Sequence, residues 1–161
     1  MSWKLLLFIV IGFSLVLGPI MMMRPKPHEA KRERWRMQLR SLGMHFSLRG
    51  LPSESDSSGD LFGVYTVITG KPTQETGWTL VKVDYEHALH CCGVWEWQNQ
   101  HRPNDEMLKT LDEKLPSLSP YVKAITGSDS GVSLFWTEQG DDRDFATVVD
   151  FLKAFAPSPN A

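Results

Sequence analysis

Five residues within fifteen positions carry the side chains most capable of chemistry: His87, His90, Cys91, Cys92 and His101. Imidazole nitrogen and thiolate sulfur are the ligand set that zinc takes. His87 and His90 share a face if the segment is helical, and Cys91 or Cys92 could add a thiolate or act as a nucleophile beside a histidine. The spacing matches no established zinc pattern. Adjacent cysteines on a strand point to opposite faces, and one of them then serves as a small buried apolar group. A membrane-tethered metal or thiol protein is therefore the alternative reading, and structural cysteines with surface histidines the leading one. Ser128-Asp129-Ser130 reads as a turn. Asp141, Asp142 and Asp144 read as the acidic start of a helix, where carboxylates meet the unpaired backbone N–H groups. No glycine-rich phosphate loop, dinucleotide fingerprint or HExxH motif occurs. The sequence implies no catalytic residue, no resident metal, no cofactor and no small-molecule substrate.

The elements that position these residues begin with an apolar run. Leu5 to Met23 holds no charge, and its one polar side chain is Ser14. Nineteen residues of helix span roughly 28 Å, close to the hydrocarbon thickness of a bilayer. The run lacks the small-residue cleavage site of a signal peptide. Residues 1–23 are thus expected to form a transmembrane anchor, with Trp3 at an interface.

Charge then gives the anchor a direction. Arg24, Lys26, Lys31, Arg32, Arg34, Arg36 and Arg40 stand against Glu29 and Glu33 within residues 24–40, a net charge of +5. Residues 41–161 hold nine Lys/Arg against seventeen Asp/Glu, a net charge of −8. Basic flanks stay on the cytoplasmic side, so the expectation is a single-span membrane protein with its N-terminus outside and its body in the cytoplasm. The seven basic residues are expected to lie at the membrane surface, with membrane lipid as a partner. An acidic body argues against nucleic acid, which needs a positive footprint.

Residues 24–43 read as a basic juxtamembrane linker and amphipathic helix. Pro25 and Pro27 stiffen the exit, Trp35, Leu39 and Leu42 form a stripe, and Gly43 caps it. Residues 44–156 read as a soluble α+β domain. Strands are expected over 44–51, 61–69, 78–84, 92–98, 121–126 and 132–137, with a five-residue hairpin loop at 127–131. Loops are expected at 53–60 and 70–77, and 85–90 reads as a turn or helical loop. A helix is expected over 104–115, capped by Asn104. A last helix is expected after Asp141 or Asp142, with Phe145, Val148, Val149, Leu152 and Phe155 facing inward. Residues 157–161 are expected to be a disordered tail. Strands joined by short turns imply a mostly antiparallel sheet, with helices on one face in a two-layer domain. Trp95 and Trp97 share a face of their strand. They and Trp35 are the candidate partner-binding aromatics, should that face lie open.

The stretch Met21-Met22-Met23-Arg24-Pro25-Lys26-Pro27, followed by a helix with Lys31, Arg32, Arg34, Met37 and Leu39, resembles the N-terminal region of the YajC family, accessories of the bacterial Sec translocase. The resemblance spans residues 5–43 and extends in outline to other single-span bacterial inner-membrane proteins. It departs at the second proline and at the Trp-rich domain from Leu61 onward. It implies an accessory or adaptor with a protein partner at the inner membrane and no catalytic residues.

Overall fold

Residues 3–22 are helical even though Gly12, Gly18 and Pro19 stand among them, in a run made up mostly of apolar residues. In the computed structural model, which describes residues 3–22, 27–52, 59–69, 77–83 and 90–157, helix α1 spans Trp3–Met22. Counted over the described residues, no helix is long and apolar enough to cross a membrane. The expected anchor includes Leu5 and residues 15–22, whose side chains lie outside the described set, as does Met23. Helix α2 spans Pro27–Ser41, with proline at its start, where the missing N–H costs nothing. The chain divides into two units, residues 1–34 and 35–161, so the boundary falls within α2.

In the second unit the helix ends where glycine lets it. Gly43 adopts φ 80° and its N–H donates to the Arg40 carbonyl at 3.0 Å, as expected of a helix-terminating glycine. Trp35 and Leu39 are buried, but Leu42 is 43 % exposed. The expected stripe is therefore corrected at its last member. Helix α2 stops at Ser41, so Leu42 leaves the helical phase, and Met44 fills the core instead.

The body is an α+β fold. Strands β1 (His45–Arg49), β2 (Phe62–Val67), β3 (Trp78–Lys82), β4 (His90–Cys92), β5 (Trp95–Trp97), β6 (Val122–Ser128) and β7 (Gly131–Trp136) form one sheet in the order β1-β2-β7-β6-β3-β5-β4. Every described pairing is antiparallel. Helices α3 (Asp105–Lys114) and α4 (Asp142–Ala154) complete the described elements, with a short 3-10 turn at Leu115–Ser117. The main core joins Trp35 and Leu39 of α2, Leu111 of α3 and Phe145, Val148, Phe151 and Leu152 of α4 to Tyr65, Trp78, Leu80, Trp95, Ile125, Leu134 and Trp136 of the sheet. One sheet face thus carries the helices. The opposite face holds a smaller cluster of Val64, Val81, Ala124 and Phe135. Full burial of each large apolar side chain contributes about 1.5–3 kcal/mol, so the helix-bearing face dominates stability.

The strand ends differ from expectation by one or two residues, and two readings differ in kind. The segment expected as one strand over 92–98 is a β4–β5 hairpin, because Gly93 at φ 60° turns the chain after Cys92. The hairpin expected to have its loop at 127–131 turns only at Asp129-Ser130. Gly127 stays in the ladder opposite Val132. Its role there is packing: a Cβ at Gly127 would lie 2.2 Å from the Trp78 ring. Loop-type composition at Gly127 and Ser128 concealed a strand end.

Both internal helices of the body are capped as expected. The Asn104 side chain accepts from Met107 N–H at 2.9 Å. Asp141 accepts from the N–H groups of Arg143 and Asp144, and Asp144 accepts in return from Asp141 N–H at 2.9 Å, a closed capping box. Parts of the loops expected at 53–60 and 70–77, the turn expected near 85–90, and the tail at 158–161 lie outside the described residues.

Candidate functional site

Among the described residues a buried polar cluster forms around Glu138. This residue follows β7 and adopts φ 55°, the left-handed region that a non-glycine residue enters at a cost of about 1 kcal/mol or more. Its side chain is 5 % exposed. It accepts from Arg36 Nε at 2.7 Å and from Arg36 Nη2, a two-pronged ion pair. The Tyr65 hydroxyl donates to its Oε1. Helix α2 supplies the arginine, β2 the tyrosine, and the segment leaving β7 the carboxylate.

The sequence makes room for this meeting. Gly63 lies beneath the carboxylate, and a Cβ there would stand 3.1 Å from its carbon. Phe46 of β1 packs on Tyr65 with centroids 5.2 Å apart. The Arg36 guanidinium sits 4.6 Å from the Phe46 centroid, close enough for cation–π attraction. One residue earlier, Trp35 stacks on Trp136 at 5.0 Å and Phe145 at 5.4 Å, and its indole donates to Asp142 at 3.2 Å. Consecutive positions of α2 therefore serve different ends: Trp35 enters the apolar core and Arg36 the ion pair at its border.

The electrostatics follow from these contacts. The hydrogen bond from Arg36 to Glu138 drives the guanidinium further above its already high pKa. Burial, then the hydrogen bond to Glu138, pushes the Tyr65 hydroxyl well above the ordinary tyrosine value of 10.0. Tyr65 is therefore a fixed donor at neutral pH. With donors on both oxygens, the carboxyl group is held in place as a structural acceptor. A proton-abstracting carboxylate needs an approach for substrate, and here Arg36 and Tyr65 occupy it.

A raised acid pKa in the folded state gives stability that is whole below the unfolded value and declines as pH climbs past it. Folding stability is accordingly expected to fall above about pH 10, by at most about 1.4 kcal/mol per pH unit for this group. Urea titrations across that range check it, and Tyr65→Phe should flatten the slope. An unchanged slope in that variant removes Tyr65 as the cause.

The residues singled out from sequence fall as follows. Trp35 and Trp95 are each 4 % exposed and belong to the main core. Trp97 is half-buried against that core, edge-on to Trp78, with the Arg102 guanidinium 4.5 Å from its ring. The ring area of the candidate aromatics is thus largely committed to packing. Of the basic set, Arg36 is bound to Glu138, Lys31 and Arg32 are half-buried, and Arg34 and Arg40 are exposed. Arg24 and Lys26 lie outside the described residues. Arg36 is therefore a residue of the ion pair, whatever its neighbours do at a surface. His101 is exposed, while His87 and the side chains of His90, Cys91 and Cys92 are outside the described set. Among the described residues no group of three His, Cys, Asp or Glu could hold a metal ion.

Glu138 and Tyr65 carry no sequence signal of their own. Glu138 stands in Trp-Thr-Glu-Gln-Gly, which reads as a loop, and Tyr65 reads as an ordinary strand aromatic. Comparison with known proteins adds no assignment: no family model, curated protein or solved structure matches the chain.

Proposed function

We propose that the chain is a non-enzymatic accessory or adaptor of the bacterial inner membrane. A single N-terminal span anchors it, and the cytoplasmic body binds a protein partner. The complex to which residues 5–43 point, through their resemblance to YajC, is the protein translocase.

One observation carries this reading. On α1, Leu6, Leu7, Phe8, Ile9, Val10, Ile11 and Phe13 are all 49–76 % exposed. Consecutive positions of a helix point in every direction, so this segment offers water an apolar surface all round. A helix of that kind is stable when lipid or protein covers it, and its backbone polar groups are satisfied internally, as lipid demands. The basic residues that follow set the direction by the positive-inside tendency.

Extraction of membranes with alkaline carbonate tests the anchor. The full chain should remain in the pellet, and Ile9→Asp with Val10→Asp should release it. Release of the unaltered chain would contradict a spanning helix.

A further inference from the structure

The two edges of the sheet differ. Strand β4 forms one edge. It is three residues long, and its register shifts between His90 and Cys92. Short, bulged edges resist the addition of another strand. Strand β1 forms the other edge. All five of its residues pair in unbroken register with β2, from His45 opposite Thr66 to Arg49 opposite Phe62. It contains no proline and no bulge. A regular strand at an edge has outward backbone N–H and C=O groups that β2 cannot satisfy. Among the described residues, no backbone hydrogen bond outside the sheet's own ladders reaches positions 45–49.

Side chains at this edge have one sign. From Arg40 to Leu51 there are two arginines and a histidine and no carboxylate, on a body that otherwise carries a large acidic excess. Strand periodicity puts His45, Ser47 and Arg49 on one face and Phe46 and Leu48 on the other. His45 and Arg49 are exposed, and Leu48 is 53 % exposed. The Arg40 guanidinium flanks the second face, 5.8 Å from the Phe46 ring. An incoming strand thus meets basic groups at both ends of one face, and an apolar pair with a guanidinium nearby on the other.

We propose that the outer edge of β1 is a docking site for an extended acidic segment of a partner protein, which adds to the sheet as a further strand. Backbone hydrogen bonds supply affinity, and alternate side chains supply selectivity. The segment that fits alternates carboxylates, toward His45 and Arg49, with aliphatic residues, toward Phe46 and Leu48. A second copy of β1 fits less well, because antiparallel self-pairing about Ser47 offers Arg49 no carboxylate partner. The proposal rests on the reading of the body as a protein-binding module and names where and what it binds.

The test uses the full chain in mild detergent and a short synthetic peptide alternating glutamate with valine, with a lysine–valine peptide as control. Amide hydrogen exchange should slow over 45–49 when the acidic peptide is added and stay unchanged with the basic one. Replacing His45 and Arg49 together by glutamate should weaken peptide binding about tenfold or more, as reversal of interfacial charge does. Both positions are exposed, and an unchanged near-ultraviolet signal from the tryptophans shows that the fold is kept. Exchange measured on the unaltered protein needs no variant at all. Absence of saturable binding, equal binding of the basic peptide, or protection elsewhere in the body overturns the proposal. So does protection of 45–49 that grows with protein concentration alone, which marks a second copy as the occupant. Failure here leaves the membrane anchor untouched, since carbonate extraction reads that independently.

Discussion

Replacing Glu138 with alanine should destabilise the body by about 3 kcal/mol, read as a lowered urea midpoint at unchanged slope. The loss has three sources. The Arg36 guanidinium keeps its charge but loses both acceptors on a side chain only 25 % exposed. The Tyr65 hydroxyl, on a residue with no exposed surface, loses its acceptor, and an unsatisfied buried donor costs about 1–3 kcal/mol. The Phe46 ring also loses the fixed cation beside it. Against these stands relief of the left-handed backbone only if the new residue is glycine, so Glu138→Gly should be milder than Glu138→Ala by a few tenths of a kcal/mol or more. The informative comparison is the double replacement Arg36→Met with Glu138→Leu. Removing both charges together is commonly close to neutral, so the pair should be less destabilised than Glu138→Ala alone. Equal losses in the single and double variants would mean that the loss comes from the orphaned Tyr65 hydroxyl, which both variants share, and not from the unpaired charge.

Gly131→Ala should be at least as damaging, by about 4 kcal/mol, enough to unfold a body of ordinary stability in part. Gly131 holds φ 139°, which side-chain-bearing residues rarely adopt. A Cβ there would stand 1.9 Å from the Val67 carbonyl oxygen and 2.9 Å from its carbon. Those atoms are backbone in β2, the neighbour of β7, so no rotamer change can relieve the overlap. The hairpin would have to open at its turn, and its strands β6 and β7 lie in the middle of the sheet. Gly127→Ala should also destabilise, through the overlap with Trp78, but a ring can tilt where a carbonyl in a ladder cannot. The order of loss expected in denaturant is therefore Gly131→Ala above Gly127→Ala. The reverse order would place the weak point of the hairpin at the Trp78 contact.

Local pattern made much of the body legible. Helix α4 announces itself by Asp141 and by a run of apolar residues at helical spacing, and β2 by its β-branched and aromatic content. The antiparallel α+β class followed from short turns between strands. The misread positions are glycines. Gly127 looks like loop and packs under Trp78, whereas Gly93 lies inside an apparent strand and makes a turn. In both, the deciding atom belongs to another segment or to a backbone angle that composition does not encode. Leu42 failed for a related reason, since the stripe was continued past the end of its helix.

The ion pair was illegible for the same cause on a larger scale. Tyr65 and Glu138 are 73 positions apart, and Arg36 and Glu138 are 102 apart. No periodicity links such residues, and each has a sufficient local explanation: strand aromatic, loop acid, membrane-facing base. Arg36 shows what the local explanation leaves out. It borders the Trp35–Leu39 stripe on α2, and that phase turns it toward Glu138 while its charge alone groups it with the basic neck. The candidate tryptophans behave likewise. A shared strand face for Trp95 and Trp97 follows from sequence, but what covers that face depends on where the helices pack.

The central claim is that an N-terminal span holds the body on the cytoplasmic side, and a pair of fusions at the C-terminus reads it most directly. Alkaline phosphatase fused there should be inactive and green fluorescent protein fused there should be bright, because the phosphatase matures only outside the cytoplasm and the fluorescent protein only within it. Active phosphatase with dark fluorescent protein would contradict the account, putting the acidic body on the far side of the membrane.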